Sequence, residues 1–246
     1  MKVLKGILGQ LAFFTIIPVG KTDFELTMEY SFLAPIIVGL VTGGIDYIVL
    51  RGLYLVLGGV VSILLIPIVE IIRGFNHLDG LLDFGDALMI RGSSEDRRKA
   101  LRDVSVGAGG IGLAIVYITI FYVATQTITN FGIFSLYKLI SAEVLSRTIG
   151  LLSLSLMRPM EGSFLGRSFY EKLKGKWFVL VIQSVPFLSL SSIILFPILL
   201  GLFLVLGKKI LNGSSGDLTG ASITISFPIL LLGEDRCFLF SLPHLL

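Results

Sequence analysis

One cysteine, two histidines and a charged fraction of only 15% set the first limits on this chain of 246 residues. A lone Cys237 excludes an internal disulfide, and His77 with His244 cannot assemble a histidine-based zinc site. Charge is too sparse, at a net +3, to build the basic surface that nucleic acid requires, so no nucleic-acid partner is indicated. What replaces charge is apolar: 54% of residues are hydrophobic and the mean hydropathy is +0.92, the range of integral membrane proteins.

The expected fold class is all-α, a polytopic transmembrane helix bundle of about six or seven spans, forming a single integral membrane domain over 1–246. The first twenty residues place Lys2 and Lys5 ahead of an apolar run without an A-x-A cleavage site, which predicts an amphipathic or interfacial helix over 1–20, ending at Pro18. Apolar stretches long enough for a bilayer follow at 31–50, 53–72, 107–129 and 133–157. The run 177–207 carries Pro186, Ser189, Ser191, Ser192 and Pro197, which favours two short helices turning near 189–192, and a last span covers 217–232. Glycines at 39 and 43, and at 216 and 220, are expected to let helices approach closely. Six Lys and Arg fall in 73–106 and five in 158–176, and Lys208 and Lys209 follow the sixth span, while the intervening connections carry one or none. The positive-inside rule then places these three segments on the cytoplasmic side of a cell membrane, with the C-terminus outside.

Between two of the apolar stretches lies a polar island, residues 74–112, holding the only acidic cluster. Asp79, Asp83 and Asp86 are spaced i, i+4, i+7 and project from one helix face. Carboxylates so close repel unless a cation sits among them, and oxygen-only donors suit Mg²⁺, which takes one or two carboxylates together with substrate phosphates. A metal clamp for a phosphorylated substrate stands beside the plainer alternative of a solvated acidic face balanced by Arg91, Arg97, Arg98, Lys99 and Arg102.

Charges also enter the apolar spans. Glu143 and Arg147 stand i, i+4 and neutralise each other on a helix; Asp46 is expected to pair with Arg51; Glu70 lies close enough to the island to add a ligand. Lone His77 fits a ligand, a proton relay or a cap. The run GAGGIG, Gly107 to Gly112, satisfies a dinucleotide-binding pattern, but no strand precedes it; its glycines serve either backbone approach to a phosphate or tight helix packing. NGSSGDLTGA, from Asn212, brings Asp217 to a helix start on the island's side of the membrane.

HLDGLLDFGDAL followed by a basic helix and RDVSVGAGGIG resembles the signature of the adenosylcobinamide-GDP ribazoletransferase, or cobalamin synthase, family. FFTIIPV, LSRTIGLLSLSLMRPMEGSFLGRSF and NGSSGDLTGA agree with it in order and spacing, so the resemblance covers most of the chain. It implies a Mg²⁺-dependent membrane transferase that joins α-ribazole, or its 5′-phosphate, to adenosylcobinamide-GDP, with GMP leaving. Carried over by motif, Asp79, Asp83 and Asp86 would hold Mg²⁺ on the diphosphate with His77 beside them. One departure is visible: Ile223 to Ser226 stand where family members carry a glutamate.

Arg102 is expected to act on the leaving diphosphate, because a guanidinium fork meets phosphate with two hydrogen bonds. Arg97, Arg98, Arg147, Arg158, Arg167 and Asp217 are candidate substrate-binding residues, and Glu70 a further metal ligand. The competing reading is a membrane transporter that uses acidic residues within its helices. The bilayer is the remaining partner, and the sequence leaves a homo-oligomer open.

Overall fold

The computed structural model describes residues 2–128 and 131–234, so Cys237 and His244 lie outside the described residues. Within them the chain is all-α, with no strand and a single β-bridge between Pro159 and Ser214. In order the helices are α1 (Lys2–Phe14), α2 (Phe24–Glu29), α3 (Ala34–Leu57), α4 (Leu65–Ile72), α5 (Asn76–Met89) and α6 (Ser94–Ala100). They continue with α7 (Ala108–Thr125), α8 (Ile133–Leu156), α9 (Phe164–Leu173), α10 (Trp177–Ser184), α11 (Leu190–Leu206) and α12 (Gly216–Gly233). Side-chain caps set several of the starts. Asp23, Ser93, Ser163, Ser189 and Ser215 each accept a backbone N–H from the first turn of the helix that follows, satisfying donors that have no partner inside it. At Ser93 the box is reciprocal, and its two hydrogen bonds hold the Asp96 carboxyl below the ordinary carboxylate range.

Among the described residues five helices are long and apolar enough to cross a membrane: Ser31–Leu57, Ala108–Thr125, Ile133–Leu156, Leu190–Leu211 and Gly216–Gly233. A sixth is reached if Val60–Ile72 and Asn76–Met89, which meet at 90°, count as one broken span. This corrects the span expected at 53–72. Helix α3 runs through Arg51 to Leu57 because Arg51 reaches the Phe131 carbonyl at 2.8 Å and so needs no loop of its own. The remaining apolar residues make a 3₁₀ turn and the short α4. The 177–207 run does break before Ser189, yet only its first half is short; α11 continues through a π-helical turn to Leu211.

Helix α8 is the central post, with every residue from Ser141 to Ser155 buried. The expected close approach at 39 and 43 is present: a Cβ added at Gly39 would lie 2.9 Å from the Val144 backbone, and one at Gly43 2.7 Å from that of Ile140. Outward-facing Ile115, Val116, Ile118, Ile194, Ile198 and Leu202 on α7 and α11 leave an aliphatic surface of the kind a bilayer covers.

Buried charge ties the post to its neighbours. Arg73, counted above among the loop cations, is fully buried at the end of α4, with its guanidinium 2.7 Å from Glu143 of α8 and 4.7 Å from the centre of the Phe227 ring on α12. Glu143 also pairs with Arg147 and accepts a hydrogen bond from Thr42 of α3. Asp46 does not pair with Arg51; it is buried, and Arg73 and Arg147 supply the positive charge that acts on it. Removing one partner of such a set strands the other charge in apolar surroundings, at a cost of about 3–5 kcal/mol. Glu143→Gln, which leaves two buried guanidiniums without a carboxylate between them, is therefore expected to lower the thermal unfolding midpoint sharply in detergent, whereas Arg51→Gln lowers it little.

Candidate active site

Immediately after Arg73 the chain turns through two left-handed residues, Gly74 and Phe75, and enters α5 at right angles to α4. The first turn of α5 then crosses the first turn of α12. The approach is close because both contact points are glycines: a Cβ on Gly80 would lie 3.1 Å from the Asp217 backbone, and one on Gly220 3.2 Å from the His77 carbonyl. Of the two glycines expected to matter here, Gly220 does; Gly216 has only ordinary contacts.

A cavity of about 320 Å³ opens at this crossing. Asn76, His77 and Asp79 line it from α5, and Asp217 and Thr219 from α12. Phe13 and Phe14 close it from the end of α1, Leu154 from the end of α8, and Leu165 and Phe169 from α9. Segments that the sequence placed on one side of the membrane thus meet at one end of the bundle. The β-bridge fastens them, with the Met160 N–H donating to the Ser214 carbonyl at 2.9 Å and the Ser214 N–H to that of Arg158 at 2.9 Å.

The acidic face of α5 runs away from this cavity. Asp79 is exposed at its edge, and Asp83 and Asp86 are half-buried. Asp79, Asp217 and Asp86 all impose negative charge on Asp83. Among the described residues no basic side chain forms an ion pair with Asp79, Asp83 or Asp217. Asp86 is engaged differently: its two oxygens accept the backbone N–H groups of Gly107 at 2.7 Å and Gly110 at 2.9 Å. It caps α7 from the neighbouring helix, a favourable position for an anion. The glycine run serves helix packing, since added Cβ atoms at Gly109 and Gly110 would each come within 2.6 Å of carbonyl oxygens of α5.

Among the described residues no three His, Cys, Asp or Glu side chains converge as a preformed metal cage. The donor chemistry still fits Mg²⁺, which takes one or two carboxylates and completes its shell with water and phosphate. Glu70, expected beside the aspartates, lies elsewhere: it accepts a hydrogen bond from the buried Tyr117 hydroxyl and sits 3.9 Å from Arg73.

The arginines divide into three groups. Arg98 and Arg102 line a second, polar basin of about 500 Å³ with Glu95, Lys99, Glu161 and Gly162. Gly162, at φ +79°, leaves room for the Arg102 guanidinium, and Arg98 is 3.3 Å from Glu161. Arg158 and Arg167 are exposed at the same end of the molecule. Arg97 donates to the carbonyls of Ile90 at 3.1 Å and Lys209 at 3.2 Å, and Arg147 is buried against Glu143, so neither presents a free guanidinium at the cavity.

The cobalamin-5-phosphate synthase family model matches residues 6–233. The chain belongs to this family. It is therefore an enzyme of cobalamin biosynthesis, and its apolar helices make it a multi-pass membrane protein. Curated relatives named adenosylcobinamide-GDP ribazoletransferase include that of Saccharolobus islandicus strain M.14.25, 47% identical with 98% of this chain and 99% of the relative covered. Those of Saccharolobus solfataricus, 46% identical over 98% and 99%, and Sulfolobus acidocaldarius, 46% identical over 96% and 94%, bear the same name. No solved structure matches.

For this cobalamin-5-phosphate synthase family member, sequence reasoning did not single out Phe13, Phe14, Asn76, Thr219 or Phe169 as cavity residues. Their only signal was membership in the FFTIIPV, GRSF and GDLTGA stretches and, for Asn76, in the polar island, because periodicity does not separate a core ring from a cavity ring. After Ile223 the next carboxylate along the chain is Glu234. Glu234 is buried near Ser189 and Ser192 at the other end of α12, about 26 Å from Asp217 at the rise of an α-helix.

The unequal engagement of the aspartates predicts opposite stability effects. Asp86→Ala should cost about 1 kcal/mol through loss of the α7 cap. Asp83→Asn should instead leave the ligand-free protein as stable as wild type, or more stable by a few tenths of a kcal/mol, by relieving like-charge repulsion. Thermal unfolding of both variants in the same detergent reads the two signs.

Proposed function

We propose that the chain transfers α-ribazole, or its 5′-phosphate, onto adenosylcobinamide-GDP and releases GMP, with Mg²⁺ held at the acidic face of α5. The observation that carries this reading is the cavity at the crossing of α5 and α12. There Asp79 and Asp217, without ion-pair partners among the described residues, share one wall with the start of the metal-suited acidic face. In this reaction a ribose 3′-hydroxyl attacks the phosphorus bonded to the cobinamide side. The new O–P bond forms as the bond to the bridging diphosphate oxygen breaks, and GMP leaves with that oxygen.

Asp79 and Asp83 would hold Mg²⁺, with Asp86 fixing their helix against α7. When bound, the ion neutralises the diphosphate and stabilises the charge that grows on the bridging oxygen. Asp217, at the first turn of α12, lies where it can accept the hydroxyl proton as the nucleophile attacks. Arg98 and Arg102 supply guanidinium forks from the neighbouring basin for the anionic GDP portion, and His77 contacts substrate inside the cavity.

The open end of the site faces the cytoplasm in this reading, because the five cations of 91–102 and the five of 158–176 gather there even after buried Arg73 is set aside. Nucleotide substrates reach such a site from water. Carboxylates at the bundle's end also fit a transferase better than a carrier, whose site tends to lie at the midplane.

GMP release by the purified protein tests the reaction. It should require Mg²⁺ and stop when EDTA is added. Asp79→Asn and Asp83→Asn should each lower kcat by about a hundredfold or more while preserving the fold. Arg102→Lys, which keeps the charge and loses the fork, should raise KM for the GDP-activated corrinoid on the order of tenfold. Full turnover in Asp83→Asn would remove the metal assignment, and an unchanged KM in Arg102→Lys would remove the arginine from the substrate.

A further inference from the structure

The end of α12 far from the cavity holds a carboxyl group for which neither the proposed reaction nor the packing has a use. Glu234, which closes this helix, is fully buried, and neither of its carboxyl oxygens has a hydrogen-bond partner. A polar group shut away from water without a partner is destabilising, and far more so when it carries charge.

Its surroundings are a junction between two helix ends. A Cβ added at Gly233 would lie 2.7 Å from Leu195 Cδ1 and 3.4 Å from Ser191 Cβ, so the last turn of α12 reaches the start of α11 through a glycine. Ser189 and Ser192 form the reciprocal capping box of α11; both are fully buried, with their hydroxyl oxygens 2.9 Å apart. Ser189 Oγ also lies 3.5 Å from the Gly233 carbonyl. The two hydroxyls adjoin the Glu234 carboxyl without a hydrogen bond to it.

Charge around the junction is sparse. Helix α11 carries no ionisable residue from Leu190 to Leu206. Among the described residues the one charged group that acts on Glu234 is Lys138 of α8, which lies 5.5 Å from the centre of the Phe134 ring and donates to the Thr127 carbonyl at 3.4 Å. Burial dominates, pushing the Glu234 carboxyl up to about 7 against the opposing influence of Ser192, Ser189 and Lys138.

We propose that Glu234 is a proton-operated latch between the end of α12 and the start of α11. In its protonated form the carboxyl O–H turns to donate to the Ser189 and Ser192 oxygens, and the junction stays closed. When the proton passes to water, the carboxylate is stranded among apolar groups, and the two helix ends part so that water reaches it. The latch lies at the opposite end of the bundle from the cavity, so it reads the pH on the other side of the membrane from the reaction site. The sign follows from linkage: the stabilisation is complete below the ordinary value of 4.5 and is lost as pH rises through about 7.

Hydrogen exchange of the full chain in detergent tests this, with amide protection corrected for the intrinsic pH dependence of exchange. In wild type, protection of amides 192–194 and 229–234 should fall on the order of hundredfold between pH 4.5 and pH 8, while that of 142–148 in α8 holds. Glu234→Gln keeps the shape and cannot ionise, so its protection at the junction should stay at the low-pH level throughout. Should that variant fail to fold, the wild-type profile decides alone. A flat wild-type profile, the same fall in Glu234→Gln, or an equal fall in α8 would overturn the latch.

Discussion

The buried contact between Arg73 and Glu143 is the constraint on which the active end of this molecule depends. A guanidinium in an apolar bundle has to meet a carboxylate, and the nearest lies on α8, the most buried helix. Meeting it draws the end of α4 inward and leaves the chain to escape through Gly74 and Phe75, both left-handed, into α5. The residues that line the cavity begin one step later, at Asn76. The position of the cavity is therefore set by an ion pair that takes no part in the chemistry proposed for it.

From that turn onward, glycine governs distance. Gly80 and Gly220 let α5 and α12 touch backbone to backbone, and Gly85, Gly109 and Gly110 do the same between α5 and α7. Asp86 then fastens the second contact by accepting two amide hydrogens of α7. One acidic residue thus immobilises the helix so that two others can stand ion-unpaired without displacing it. Like charges held this way carry strain in the ligand-free protein, the usual mark of a site whose counterion arrives with substrate.

Two cavities of different chemistry share the segment that runs from the end of α8 into α9. Glu161 and Gly162 face the arginine basin, whereas Leu165 and Phe169 face the aromatic chamber. The β-bridge between Pro159 and Ser214 keeps this shared segment fixed to the start of α12.

Composition and periodicity by themselves determined that the chain is a helical membrane protein, that α8 pairs Glu143 with Arg147, that a break precedes Ser189, and that Asp79, Asp83 and Asp86 share a helix face. Those properties follow from local spacing or from transfer free energy summed along the chain. Only the tertiary structure decided that Arg73 is an interior cation and not a loop cation, that Arg51 continues a helix, and that Glu70 belongs with Tyr117 and Arg73. The same holds for Asp86 becoming a cap, for Asp217 joining Asp79, and for Phe13, Phe14 and Phe169 forming one chamber. The physical reason is common to all of these. Each depends on which partner stands across a helix interface, and in a bundle that partner is selected by close backbone approach and by the need to pair buried charge, neither of which is written in the spacing of a single helix.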